Sequence, residues 1–128
     1  MTEGRLKDKV AVVTGASSGI GAAVARSLSQ EGMHVALAAR REEALLDVQN
    51  TLGEEAKSTI CATDVTDRDQ VRKLFSQAER DLSPVDVLVN CAGVMYYTLM
   101  KNLQEDDWER IVDVNCKGTM NCVGAVLG

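Results

Sequence analysis

Aromatic residues are scarce in this chain: Phe75, Tyr96, Tyr97 and Trp108 are the whole set. Its core must therefore come from Val, Leu, Ile and Ala, a composition suited to close packing of helices on a sheet. Basic clusters are also lacking, and the net charge of −5 argues against a nucleic-acid or anionic-membrane surface. No apolar run approaches the roughly 20 residues needed to span a bilayer. The charged segment from Met1 to Lys9 has no signal-peptide core. The four cysteines (Cys61, Cys91, Cys116 and Cys122) form no C-x-x-C pair, which predicts buried, reduced thiols rather than a disulfide or zinc site. A cytoplasmic protein is the expectation. The lone histidine, His34, is read as structural, and the acidic run Glu105-Asp106-Asp107 as a charged first helical turn, not a metal site.

What the sequence does contain is an alternation of short β-branched runs with longer helix-period segments. Val10 to Val13 is a continuous apolar run, as expected of a parallel strand buried on both faces. Ile20, Val24 and Leu28 then recur at helical spacing up to Gly32. Val35 to Ala39 reads as a second strand, and Leu45, Val48 and Leu52 as a helix closed by Gly53. Ser58 to Ala62 is a third strand. Thr66 and Asp69 resemble a capping box before a helix faced by Val71, Leu74, Phe75 and Ala78. After the turn at Ser83-Pro84, Val85 to Asn90 is a fourth strand. A last helix, capped by Asn102 with Glu105, carries Trp108, Ile111, Val112, Cys116 and Thr119 on one stripe.

This order predicts an α/β fold: one Rossmann-like, doubly wound parallel sheet over residues 1–128, with strand order 3-2-1-4. The first two helices should cover one face and the last two the other. The fourth strand should be an open apolar edge, prone to association.

Between the first strand and first helix lies Thr14-Gly15-Ala16-Ser17-Ser18-Gly19-Ile20-Gly21. Gly15 permits a tight turn. Gly19 and Gly21 remove side chains so that a pyrophosphate can approach backbone N–H groups at the helix start. Ser17 and Ser18 add hydroxyl donors. A turn without a ligand is the alternative. Asn115 stands on the otherwise apolar stripe of the last helix, where a buried amide must find partners; it is either functional or simply satisfied.

The glycine loop, with its G-x-x-x-G-x-G spacing, resembles that of the short-chain dehydrogenase/reductase family, and three further motifs agree in order. Asp64-Val65 follows the third strand, where the family contacts adenine. Asn90-Cys91-Ala92-Gly93 is similar to the family's N-N-A-G, with Cys91 in place of the second Asn. Val114-Asn115-Cys116-Lys117-Gly118 is similar to the helix that supplies the catalytic-tetrad Asn. The resemblance implies cofactor contacts from Gly15, Ser17, Ser18, Gly19, Ile20, Gly21, Asp64, Val65, Asn90, Ala92 and Gly93, and a proton-relay role for Asn115.

Charge argues the cofactor. Ala39 stands where a carboxylate would bind a ribose 2′-OH, and Arg40-Arg41 follows, so NADP(H) is expected; a solvated helix start is the alternative reading of the arginines. Tyr97 and Lys101 fit Y-x-x-x-K, but they lie before the last helix, whereas the family's catalytic pair follows a fifth strand. They are read as packing or substrate-side lining. The family's Ser, Tyr and Lys are expected beyond residue 128, so little turnover is expected of these residues alone. The resemblance implies NADP(H)-linked hydride transfer with a small carbonyl or alcohol substrate, and homo-oligomers for full-length members. A non-catalytic nucleotide-binding or subunit-interaction protein is the other reading.

Overall fold

The computed structural model describes residues 5–93 and 105–127, apart from the side chains of Asp107 and Trp108. Tyr97, Lys101, Asn102 and the Trp108 side chain therefore lie outside the described residues. Four parallel strands, β1 (Val10–Thr14), β2 (His34–Ala39), β3 (Ser58–Ala62) and β4 (Val87–Asn90), form one sheet in the order β3-β2-β1-β4. The expected fold and strand order are both present. In register, Thr14 pairs with Ala38 and Asn90, and Ala38 with Cys61, so all four strands end on one crest.

Alternate side chains feed two cores, as the two-residue period of a strand dictates. Val13, Val35 and Leu37 pack with Ala22 and Ala25 of α1 (Gly19–Gln30) and with Leu45 and Val48 of α2 (Glu42–Gln49). Val12, Ala36 and Ala38 pack with Val71, Leu74, Phe75 and Ala78 of α3 (Arg68–Asp81) and with Cys122 of α5 (Thr119–Leu127). The helices are thus divided between the faces as right-handed crossovers require.

Several local expectations need correction. The buried face of α1 is Gly21, Ala22, Ala25 and Ser29, while Ile20 is 77% exposed. A Cβ on Gly21 would strike the Gly15 carbonyl oxygen, so the helix start lies flush on the loop and small residues face the sheet. Helix α2 ends at Gln49, before Gly53, whose N–H instead donates to the buried Ser29 hydroxyl at 3.1 Å. The cap of α3 is Asp67, which accepts from the Asp69 and Gln70 amides, in place of a Thr66–Asp69 box. Strand β4 starts at Val87. Just before it, Asp86 accepts from the Val10 amide at 2.9 Å and donates its own N–H to the Val10 carbonyl.

The largest departure is the last helix. It divides into α4 (Glu105–Val112), a π-helical segment (Asp113–Gly118) and α5. Wider winding shifts the apolar phase, so Val114, Gly118 and Cys122 are buried, while Val112 and Cys116 are exposed. The expected stripe of Ile111, Val112, Cys116 and Thr119 is not the buried one. All four cysteines are free thiols, but only Cys61 and Cys122 are buried. Burial pushes the Cys122 thiol up to about 11, so it stays protonated at neutral pH.

His34 has a joining role at the opposite end of the sheet. Its Nδ1 accepts from the Lys57 amide at 2.9 Å, and its Nε2 lies 3.3 Å from Asp8. No helix among the described residues is long and apolar enough to cross a membrane. Nor do the described residues gather a His/Cys/Asp/Glu cluster that could hold a metal ion.

Candidate functional site

The strand crest opens into a cleft of about 370 Å³. On one side it is bounded by Gly15, Ser17, Ser18, Ile20 and Gly21. Arg40 and Arg41 follow β2, Asp64 and Val65 follow β3, and Ala92 and Gly93 follow β4. Eleven of the residues singled out from the sequence therefore meet in one place. Gly19, Asn90 and Asn115 do not line it. The cleft also takes in Ala39, the residue at the expected ribose position, and Cys91 and Val114 from the two later motifs, together with Ala38, Thr63 and Arg110, to which the sequence had assigned no role.

The first wall is set by Thr14, a buried residue whose hydroxyl accepts from both the Cys91 and Ala92 amides at 3.2 Å. These bonds draw the β4 exit onto the glycine loop. A Cβ on Gly15 would meet the Cys91 carbonyl carbon and oxygen at 2.5 Å and the Ala92 nitrogen at 2.6 Å, and its φ is +62°. Gly15 and Gly21 are thus required by backbone-to-backbone packing. Gly19 differs: its φ is +57°, and a Cβ there would meet nothing within 4 Å. Ser18, the α1 N-cap residue, makes no side-chain cap bond, and the first turn carries no acidic residue. The first-turn N–H groups and the positive end of the helix dipole are thereby left for an anion.

Asp64 forms the far wall. Its Oδ1 accepts from the Thr66 hydroxyl at 2.7 Å and the Thr66 amide at 3.0 Å. Burial alone would raise its pKa. The Thr66 bonds, aided by the Arg110 and Arg40 charges, outweigh burial and hold the carboxyl below its usual 3.8. A depressed folded-state pKa contributes stability that is present above the unfolded value and lost as pH falls through the folded one. In urea unfolding, the stability gap between wild type and Asp64→Asn should be steady above pH 3.8 and shrink below it. A gap indifferent to acid would mean that this carboxylate carries no pH-linked stability.

The π-helical segment lies directly on this wall. A Cβ on Gly118 would come within 2.5 Å of Val65 Cγ2, and Asn121 Nδ2 donates to the Val65 carbonyl at 2.9 Å. Asn115 is exposed and not the buried amide expected, because the π winding turns it off the apolar face. It sits instead at the β4 exit, where its Oδ1 would lie 3.2 Å from a Cβ on Gly93. Asn90 is exposed at the end of β4. Arg40 and Arg41 are exposed, and neither pairs with a carboxylate among the described residues.

The model of the short chain dehydrogenase family matches residues 9–128. The chain belongs to that family. Among curated relatives, a glycine betaine reductase of Emericella nidulans is 57% identical over 98% of this chain, which covers 10% of that protein. Among solved structures, a short-chain type dehydrogenase/reductase from Mycobacterium marinum superposes with a TM-score of 0.89 at 35% identity, over 94% of this chain and 49% of its own. An alcohol dehydrogenase from the archaeon Thermococcus sibiricus, complexed with 5-hydroxy-NADP, gives 0.85 at 33% identity, over 93% and 52%. This short-chain dehydrogenase chain thus spans about half the length of those two structures and a tenth of the reductase.

Proposed function

We propose that residues 1–128 form the cofactor-binding part of an NADP(H)-dependent oxidoreductase acting between a carbonyl and an alcohol. The observation that carries this reading is the cleft itself, with a helix start lacking a side-chain cap on one side and, on another, two guanidiniums that pair with no carboxylate among the described residues. The fit is physical. Gly19 borders open space where a pyrophosphate would approach, and the cleft volume falls within the range of about 300–1,000 Å³ usual for ligand pockets. Ala39 brings no carboxylate to the ribose, and Arg40 supplies a planar fork suited to a 2′-phosphate.

In this reading Gly15, Ser17, Ser18, Gly19, Ile20 and Gly21 hold the pyrophosphate, and Arg40 with Arg41 the 2′-phosphate. Asp64 and Val65 border the adenine. Ala92 and Gly93 form the floor toward the nicotinamide, with Asn90 preceding them at the end of β4 as a further cofactor-side residue, and Asn115 stands beside Gly93 as a proton-relay residue. NADP(H), when bound, supplies or accepts the hydride. The structural relative solved with 5-hydroxy-NADP supports the cofactor, and the relative named a reductase supports reduction as the working direction.

Thermal unfolding with added nucleotide tests the cofactor assignment. A ligand bound only to the folded state raises stability by about 2.7 kcal/mol at a hundredfold excess over Kd. NADPH should raise Tm more than NADH at equal concentration. Equal shifts, or a larger one with NADH, would overturn the assignment.

A further inference from the structure

Three cationic side chains line the cleft among the described residues: Arg40, Arg41 and Arg110. The first two follow β2, whereas Arg110 belongs to α4, beyond β4 in the chain. Because Gly118 and Asn121 seat the following segments on Val65, the helix that carries Arg110 is brought over the β3 exit. Val114, four residues on, lines the same cleft. Arg110 is half-buried and forms no ion pair with a described residue. A partly desolvated guanidinium that has no carboxylate partner among the described residues favours capture of an anion.

The nearby anion is a poor partner. Asp64 is tied through Oδ1 to Thr66 and is not within ion-pair distance of Arg110, although both Arg110 and Arg40 act on its carboxylate through space. The three arginines and Asp64 together leave two positive charges around an open volume. That matches a phosphate monoester, which carries about −1.5 to −2 at neutral pH.

We infer that Arg110 is a second specificity residue for a 2′-phosphorylated adenosine, approaching the phosphate from α4 while Arg40 approaches from β2. The inference rests on the nucleotide-binding reading above. It adds a contact from a different part of the chain, so that 2′-phosphate recognition would depend on the seating of α4 as well as on the β2 exit.

Calorimetric titration of the chain with adenosine 2′,5′-bisphosphate and with 5′-AMP tests it. Arg110→Gln should raise the Kd for the bisphosphate about tenfold while moving that for 5′-AMP by less than about twofold, because only the former carries the group read. Arg110→Lys, which keeps the charge but not the fork, should fall between wild type and Arg110→Gln. Melting curves of both variants check that the fold is retained. Equal weakening of the two ligands, or none, would overturn the role of Arg110. Failure of the wild-type chain to prefer the bisphosphate would instead overturn the nucleotide reading, and this inference with it.

Discussion

Gly15→Ala is expected to destabilise the chain by about 2–5 kcal/mol, a large share of the about 5–15 kcal/mol that holds a domain folded. Two costs combine. A non-glycine residue in the left-handed region costs roughly 1–2 kcal/mol, and forcing atoms into a packed site costs about 1–3 more. The added methyl would sit 2.5 Å from the Cys91 carbonyl carbon, and a backbone held by two bonds to the Thr14 hydroxyl cannot easily retreat. Relief would require parting the β4 exit from the glycine loop and so opening the cleft wall.

Gly19→Ala is the contrasting change. Its methyl meets nothing, so only the cost of the left-handed conformation applies, about 1–2 kcal/mol, and the fold should survive. Nucleotide affinity should nonetheless fall about tenfold or more, as expected when one charge-assisted bond to the phosphates is blocked. Urea unfolding beside NADPH titration separates the two effects. A stable Gly15→Ala, or a Gly19→Ala that binds normally, would contradict the division between packing glycine and ligand glycine.

The second large effect concerns cofactor choice. Replacing Ala39 by Asp and Arg40 by Ala together should lower the preference for NADPH over NADH about 100-fold or more. Loss of a guanidinium fork removes a charged hydrogen bond worth about 1.5–3 kcal/mol. The new carboxylate would repel the 2′-phosphate and offer a partner to a ribose 2′-OH, so the two halves of the change act together. Arg41 and Arg110 remain, so binding of NADPH should weaken rather than vanish. An unchanged preference would mean that the β2 exit does not read the 2′-phosphate.

Much of this architecture is legible in the residues. Continuous runs such as Val10 to Val13 mark strands buried on both faces, and their alternation with helical segments fixes the parallel order. The cleft was largely legible too, because loops at strand ends carry the glycines and arginines that meet there. The phase of individual helices was not. In α1 the apolar Ile20 faces outward because the Gly21–Gly15 contact, a tertiary constraint, sets the rotation. The π-helical winding at Asp113–Gly118 takes more residues per turn than an α-helix, so a stripe counted at 3.6 residues per turn runs out of phase there. Its effect reaches the site, since it exposes Asn115 and Cys116 and buries Val114. Thr14 stands first in the glycine loop but its hydroxyl had no assigned role, because its partners at the β4 exit are distant in sequence. Arg110 reads as an ordinary charge on a helix surface.

A crystal structure of the chain with NADP⁺ tests the central claim most directly. The account predicts the pyrophosphate over Gly19 at the start of α1, with its oxygens on first-turn N–H groups, and the 2′-phosphate in contact with Arg40. A nucleotide bound elsewhere, or one seated in the cleft with its 2′-phosphate turned away from Arg40 into solvent, would contradict it.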